Sequence, residues 1–244
     1  MKKRADLLLF EKKIAESRTK AQGMIKAGQI SINGKKVLKS GELYSLENSV
    51  ISKILQPEWV SRGAIKLLHA LDYFKIDVSN FKCLDIGAST GGFTEVLLSK
   101  KAQKIYSVDV GTNQLHEKLI NNLKVINLPK TNARYLNKDI ISDLVNIIVC
   151  DVSFISMQKV IEPSLHFLEK DIGYLIGLIK PQFELEKKEI KKGGVVIDVN
   201  IHKRICNYYK EWFEKFCQMQ VLGIIPSPIK GPKGNIEFLI CAKN

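Results

Sequence analysis

The chain has 244 residues, 45% of them hydrophobic, which is enough to bury the core of one large domain or of an ordinary domain with a small companion, and which excludes disorder as the default. Its 38 lysines and arginines outnumber 25 acidic residues for a formal charge of +13, an excess that favours a polyanionic partner, nucleic acid ahead of an anionic membrane surface. No apolar run approaches the roughly 18 residues needed to span a bilayer, and Met1-Lys2-Lys3-Arg4 leads into Asp6 and Glu11 rather than a signal-peptide core, so a cytoplasmic protein is expected.

The first elements are short and basic. Leu7, Leu8, Leu9 and Phe10 predict one helix; Ser17 is placed to cap a second, and Gly28 stands where a helix-ending glycine belongs. The run from Gln29 to Val37 alternates in polarity around Asn33-Gly34, a hairpin signal because a type I′ turn needs positive φ at both central residues. Arg4, Lys12, Arg18, Lys20, Lys26, Lys35 and Lys36 crowd into this unit, either as a solvated charged face or as a grip on a partner. Ser17-Arg18-Thr19-Lys20-Ala21, Ile25, Gly28, Ile30 and Asn33-Gly34 resemble the αL RNA-binding motif of a small-subunit ribosomal protein, pseudouridine synthases and tyrosyl-tRNA synthetases. That resemblance implies that Arg18, Lys20 and the hairpin lysines Lys35 and Lys36 face RNA, reading shape and phosphate rather than bases; Arg4, in the same basic unit, is a further RNA-binding candidate.

From Ser40 to Gln56 the segments are short and alternating, and Pro57 marks the expected junction between a domain with linker over 1–56 and a second domain over 57–244. In the second, strand-like and helix-like segments take turns: strands are expected at Cys83–Ile86, Ile105–Val108, Val125–Asn127, Ile147–Cys150 and Tyr174–Ile179. A helix over Asn207–Phe216 is expected to pack Trp212 and Phe216 inward, and Val221–Ile225 with Ile236–Ala242 reads as an antiparallel pair. The expected fold class is α/β: a Rossmann-like domain whose mostly parallel sheet has an antiparallel last strand, preceded by a small α+β RNA-binding domain.

Leu84-Asp85-Ile86-Gly87-Ala88-Ser89-Thr90-Gly91-Gly92-Phe93 follows a strand and opens a helix, the setting in which glycines let a backbone approach a ligand. The spacing is neither GxGxxG nor a P-loop, which disfavours pyrophosphate ligands. A strand-end aspartate suits a ligand with a cationic end, and Asp85 is expected to reach the amino-acid moiety of S-adenosyl-L-methionine, directly or through water. Asp109 closes the next strand, where a carboxylate can accept both ribose hydroxyls of a nucleoside, or stand as an ordinary strand-end or helix-capping carboxylate. Asn132, after the third strand, is a candidate for the adenine edge, though Asn is also ordinary loop chemistry. The candidate cofactor set is thus Asp85, Gly87, Ala88, Ser89, Gly91, Gly92, Phe93, Asp109 and Asn132.

Lys66 lies in Ser61-Arg62-Gly63-Ala64-Ile65-Lys66-Leu67; Asp151 follows the fourth strand, Lys180 the fifth, and Glu237 opens the last. Ligands of such sheets sit beyond the carboxyl ends of the strands, so Asp151 and Lys180 converge on one crevice; periodicity alone does not bring Lys66 and Glu237 there. These four residues resemble the Lys-Asp-Lys-Glu tetrad of the FtsJ-type ribose 2′-O-methyltransferases. With the αL module, the segments Ser-Arg-Gly-Ala-x-Lys-Leu, Asp-Ile-Gly-Ala-Ser-Thr-Gly-Gly-Phe, Asp-Val-Ser-Phe-Ile-Ser and Lys-Pro-Gln-Phe-Glu resemble the TlyA family over essentially all 244 residues. The resemblance implies methylation of ribosomal RNA, free or in ribosomal subunits, with Lys66, Asp151, Lys180 and Glu237 catalytic and Arg62 against RNA. Physically, a ribose hydroxyl is a poor nucleophile and the sulfonium methyl is already activated, so the enzyme must align the groups and manage one proton, a role suited to Lys180.

Other chemistries fit less well. Exocyclic-amino methyltransferases place Asn/Asp-Pro-Pro-aromatic where this chain has Asp151-Val152-Ser153-Phe154, and cytosine C5 enzymes need a Pro-Cys nucleophile that Cys150 does not supply. The five cysteines form no CxxC and read as reduced thiols, and the four scattered histidines show no metal-ligand spacing, so no metal is expected. A non-catalytic RNA-binding or ribosome-assembly factor remains the first rival. A haemolysin, the activity for which the family was earlier named, is the second, and it would need a membrane-active segment.

Overall fold

A computed structural model describes residues 2–26, 28–53, 59–186, 189–190 and 193–244. The chain divides into two compact units, Met1–Glu58 and Trp59–Asn244; the junction expected at Pro57 lies outside the described residues.

In the first unit β1 (Lys2–Arg4) runs into α1 (Ala5–Glu11), followed by α2 (Arg18–Lys26), the hairpin β2 (Ile30–Ile32) and β3 (Lys35–Lys36), then β4 (Leu43–Ser45) and β5 (Ile51–Lys53). The apolar spacing Ala5, Leu8, Leu9 turns one face of α1 onto Ala21 and Ile25 of α2 and onto Ile30, Ile32 and Val37, all buried. Ser17 caps α2, its Oγ accepting from the Lys20 amide at 3.1 Å. Asn33 and Gly34 both adopt positive φ, as the type I′ turn requires. Asn33 also fastens the next strand: its Oδ1 accepts the Val50 amide at 2.8 Å just before β5 pairs antiparallel with β2. The alternating segments after Ser40 are therefore strands of this unit, β4 on β1 and β5 on β2.

The second unit opens with α3 (Ala64–Phe74), then alternates β6 (Lys82–Ile86), α4 (Gly92–Ser99), β7 (Lys104–Val108), α5 (Glu117–Ile120), β8 (Val125–Leu128), β9 (Ile147–Cys150), α6 (Gln158–Ile161), β10 (Tyr174–Ile179), α7 (Pro181–Glu184), α8 (Val199–Glu211), β11 (Gln220–Pro226) and β12 (Phe238–Lys243). They form a seven-stranded sheet in the order β11-β12-β10-β9-β6-β7-β8. β8, β7, β6, β9 and β10 are parallel, while β12 runs antiparallel between β10 and β11. All four residues of β9 are buried, as expected of a central strand covered on both faces. One face packs Leu84, Ile86, Ile148 and Leu175 against α6 and α8; the other packs Cys83, Ile147, Val149 and Ile176 against α3 and α4. Cys150 is a buried strand residue whose thiol burial holds well above its usual range.

The aromatic run after α8 departs from expectation. Trp212 is buried, but Phe216 is 78% exposed and Phe213 takes the inward place. Residues Trp212–Phe216 form a π-helical turn; its wider winding carries Phe216 off the face shared by Tyr209, Trp212 and Phe213.

At the other end of the sheet, Lys82 and Lys104 are register partners at the starts of β6 and β7. Asp143 separates their charges: its carboxylate takes Lys82 Nζ at 2.6 Å, Lys104 Nζ at 2.7 Å and the Tyr106 hydroxyl at 2.7 Å. Those donors, Lys104 foremost, hold the carboxyl below its usual range. Asp143→Asn leaves two neighbouring ammonium groups without a counter-charge and is expected to lower unfolding stability at pH 7 by about 1–2 kcal/mol, the lysines being partly solvated; urea titration checks it.

Candidate active site

The loop joining β6 to α4 is shaped by backbone that only small residues tolerate. Gly87 has φ +82°, and a Cβ there would stand 2.9 Å from the Asp151 carbonyl oxygen; Gly91 has φ +99°, and its Cβ would fall 2.2 Å from Leu119 Cδ1. Asp109 ties the loop to the end of β7: Oδ2 accepts the Ser89 amide at 2.8 Å and Oδ1 the Gly111 amide at 2.7 Å. The carboxylate thus holds two loop amides at the end of β7 and also stands on the wall of a cavity of about 490 Å³. Ile86, Val108, Val110, Val152 and Ile155 make that wall largely apolar, with Ser89 and Asn132 among its polar members and Gly87 beside them. Asn132 Oδ1 is engaged by the Arg134 backbone amide at 3.1 Å, which leaves the carboxamide NH₂ as the group to meet a ligand.

A second cavity of about 240 Å³ shares Gly87, Ser89, Asp151 and Ser153 with the first and adds Arg62, Lys66, Ala88, Gly92, Phe93 and Lys180. Asp151 organises it. Lys66 Nζ lies 3.4 Å from Asp151 Oδ2 and 2.8 Å from Glu237 Oε2, while Lys180 Nζ lies 2.5 Å from Asp151 Oδ1, a charge contact rather than an aligned hydrogen bond. Lys66, Lys180 and Glu237 are only 7%, 6% and 1% exposed, so two positive charges and one negative charge are buried beside the cavity around the half-buried Asp151 carboxylate. The structure thus brings together the tetrad proposed from sequence, including the two members that periodicity could not place.

Asp85 and Gly91 line neither cavity. Direct reach from Asp85 to a ligand is not what the fold provides: the carboxylate is fully buried beneath the loop, on the α4 side of β6, where Oδ2 accepts the Thr94 hydroxyl at 2.6 Å. Thr94 in turn shares a hydrogen bond with Ser107 at 2.7 Å. The reason is strand alternation: Asp85 has the parity of Cys83, which packs on α4, and not that of Ile86.

Several cavity residues had no assigned role in the sequence. Ser153 accepts Lys180 Nζ at 2.8 Å. Phe154, at φ +66° and 90% exposed, stands beside Phe183 with ring centroids 5.0 Å apart. Gln114 and Arg134 complete the first cavity. Ser153 and Phe154 were visible within Asp-Val-Ser-Phe-Ile-Ser as motif letters without a function, whereas nothing in the spacing of Gln114 or Arg134 marks them. Of the candidate RNA contacts, Arg62 is exposed at the second cavity. Arg4, Arg18, Lys20, Lys35 and Lys36 are exposed on the first unit, Lys20 in an ion pair with Glu16.

Burial pushes the Asp85 carboxyl up to about 7, against the Thr94 hydrogen bond and with repulsion from Asp151. A carboxyl raised on folding contributes stability that is complete below its unfolded value near pH 4 and is lost as pH rises through about 7. Asp85→Asn keeps an acceptor for Thr94 and removes this dependence. Its stability relative to the parent chain is expected to climb between about pH 4 and pH 7 and then level off; urea unfolding across that range measures it, and a difference independent of pH would show the buried carboxylate to be ionised throughout.

The matches to known proteins agree with this geometry. Residues 59–244 match the model of the FtsJ-like methyltransferases and residues 3–50 that of the S4 domain. The chain is 41% identical over 240 residues to hemolysin A of Brachyspira hyodysenteriae, covering 97% of this chain and 98% of that one. It is 38% identical over 239 residues to the 16S/23S rRNA (cytidine-2′-O)-methyltransferase TlyA of Mycobacterium tuberculosis, covering 97% and 88%. A solved hemolysin-family structure from Streptococcus thermophilus superposes with a TM-score of 0.73 at 35% identity, over 100% of this chain and 88% of that one. With an S4 domain ahead of an FtsJ-like domain and full-length relatives of this kind, the chain belongs to the TlyA, or hemolysin-A-like, family of FtsJ-like methyltransferases.

Proposed function

We propose that this protein transfers a methyl group from S-adenosyl-L-methionine to a ribose 2′-hydroxyl of ribosomal RNA, working in the cytoplasm on free RNA or ribosomal subunits. The observation that carries the reading is the pair of buried lysines bridged by Asp151 at the seam of two cavities. The residues of the larger cavity fit the cofactor. Its volume of about 490 Å³ lies in the range of small-molecule sites, its apolar wall suits a purine, and Asp109 keeps lone pairs for ribose hydroxyls beyond the two backbone amides it accepts. When bound, the cofactor supplies a methyl group already activated by its sulfonium.

The chain's own residues then handle the acceptor. In its amine form Lys180, held by Asp151 and Ser153, orients the 2′-hydroxyl and takes its proton onto Nζ as the oxygen becomes bonded to the methyl carbon. Asp151 stabilises the ammonium that results, while Lys66, braced by Glu237, fixes the second carboxylate oxygen so that Asp151 cannot swing away. Phe154, exposed at the rim beside Phe183, offers an aromatic face to the base attached to the target ribose. The S4-type unit with its exposed cations supplies RNA affinity, and the relative from M. tuberculosis, named for cytidine 2′-O-methylation of both ribosomal RNAs, supports the substrate class. Among the described residues no helix is long and apolar enough to cross a membrane.

Methyl transfer from labelled cofactor to separated ribosomal subunits, with mass-spectrometric mapping of the modified nucleoside, tests the reaction; a base-methylated product, or none on either subunit or on free RNA, would overturn it. Lys180→Ala is expected to keep the fold and cofactor binding while lowering the single-turnover rate by roughly 10² to 10⁴. Lys180→Arg should not rescue it, because guanidinium retains the charge but accepts no proton; near-normal turnover in that variant would leave Lys180 a positioning cation. Asp109→Ala is expected to weaken cofactor binding by on the order of 1.5 to 3 kcal/mol in calorimetry, through lost ribose contacts and a loosened loop.

A further inference from the structure

The first unit holds an acidic residue where an RNA-gripping face would be expected to have none. Asp6, in the first turn of α1, is fully buried, and its carboxylate is saturated. Oδ1 accepts Arg4 Nε at 3.1 Å and the Leu7 amide at 2.9 Å; Oδ2 accepts Arg4 Nη2 at 3.1 Å, Arg18 Nη2 at 3.3 Å and Gln22 Nε2 at 2.7 Å. Five donors on one carboxylate exceed its roughly four lone-pair directions, so nothing further can bind to it. The arginines are in the opposite situation. Their side chains are 48% and 51% exposed, and each guanidinium has donors that Asp6 does not use.

We propose that Asp6 is a positioning residue that sets Arg4 and Arg18 side by side as one two-pronged grip for a backbone phosphate of RNA. Arg4 ends β1 and Arg18 begins α2, so the two come from separate elements. Their Nη2 atoms converge on one oxygen, both donating to Asp6 Oδ2, at 3.1 and 3.3 Å. Two adjacent guanidinium groups would otherwise repel and sample many rotamers, and a buried carboxylate removes both costs while leaving a net positive charge facing outward. A phosphate, with several acceptor oxygens, fits between such forks better than a single carboxylate or a base edge. The Arg4 hydrogen bond keeps the Asp6 carboxyl far below the usual carboxylate range, so the arrangement persists at any working pH.

The proposal rests on the reading that this unit binds RNA, and the test separates the two. Full-length chain is titrated against ribosomal RNA extracted from purified subunits, at several KCl concentrations, with thermal unfolding of every variant recorded. Arg4→Ala and Arg18→Ala test the RNA reading: if neither weakens binding, the grip does not exist. Asp6→Asn tests the positioning, because the two accounts predict opposite signs. Removing a negative charge from a basic face should tighten RNA binding if charge alone matters. If Asp6 positions the arginines, the carboxamide NH₂ confronts donors and displaces them, and binding is expected to weaken about tenfold with a shallower salt dependence. In an Arg4→Ala, Arg18→Ala background Asp6→Asn is expected to have no further effect on RNA affinity, whereas a general folding defect would lower it again. Should Asp6→Asn fail to fold, Arg4→Lys and Arg18→Lys decide the matter, since lysine keeps the charge and loses the fork. Wild-type affinity in both lysine variants, or equal or tighter binding by folded Asp6→Asn, overturns the proposal.

Discussion

Burying two ammonium groups side by side is the constraint on which the catalytic unit depends. Lys66 and Lys180 are both nearly inaccessible, and an isolated buried charge costs several kcal/mol unless it is paired. Asp151 and Glu237 supply the pairing, and Asp151 is shared by both lysines, so losing Asp151 strands the charge of Lys180 and losing Lys66 strands that of Glu237. The four residues come from α3, from the ends of β9 and β10, and from the approach to β12. Their mutual neutralisation therefore requires β9, β10 and β12 in their correct register. A site with this architecture is as much a product of the strand order as of the side chains themselves.

The same device recurs in the first unit with a different outcome. There one buried carboxylate, Asp6, holds two arginines that keep half their surface in water. In the second unit the cations are enclosed and the carboxylates restrain their positions around a cavity. In both, a carboxylate spends its lone pairs on directing two basic groups. The difference lies in which end faces out: guanidinium groups half exposed to solvent in one case, ammonium groups enclosed beside a cavity in the other.

Much of this was legible in the sequence because it rests on local rules. Asn33-Gly34 specifies a type I′ turn whatever surrounds it, Ser17 caps the helix it precedes, and the β9 and β10 segments were readable as short apolar runs bounded by polar residues. Asp109 after β7 and the glycines after β6 were visible for the same reason. What was hidden depends on facing and on distant partners. Asp85 carries the letter of a ligand-binding acid, but its strand parity turns it under the loop toward Thr94 and Ser107. Phe216 fits an α-helical period that a π-turn interrupts just before it. Ser153 gains its role only because β10 lies beside β9 and brings Lys180 within 2.8 Å of its hydroxyl.

The antiparallel strand explains how Glu237 joins the site at all. In a parallel sheet every strand ends at the ligand crevice and starts at the opposite edge, so a residue that opens a parallel strand lies far from the chemistry. β12 runs the other way, and Phe238 pairs with Ile179, the last residue of β10. Glu237, one step before Phe238, therefore arrives beside Lys180, one step after Ile179, at the same edge of the sheet. The turn leading into β12 is fitted to this carboxylate. Gly231 has no side chain where a Cβ would come within 2.1 Å of Glu237 Oε1, and buried Asn235 braces the turn by accepting the Val196 amide at 2.9 Å and donating to the Gly194 carbonyl at 3.0 Å. A reversed strand thus converts a position at the start of an element into an active-site position, which neither hydrophobic period nor strand propensity could have indicated.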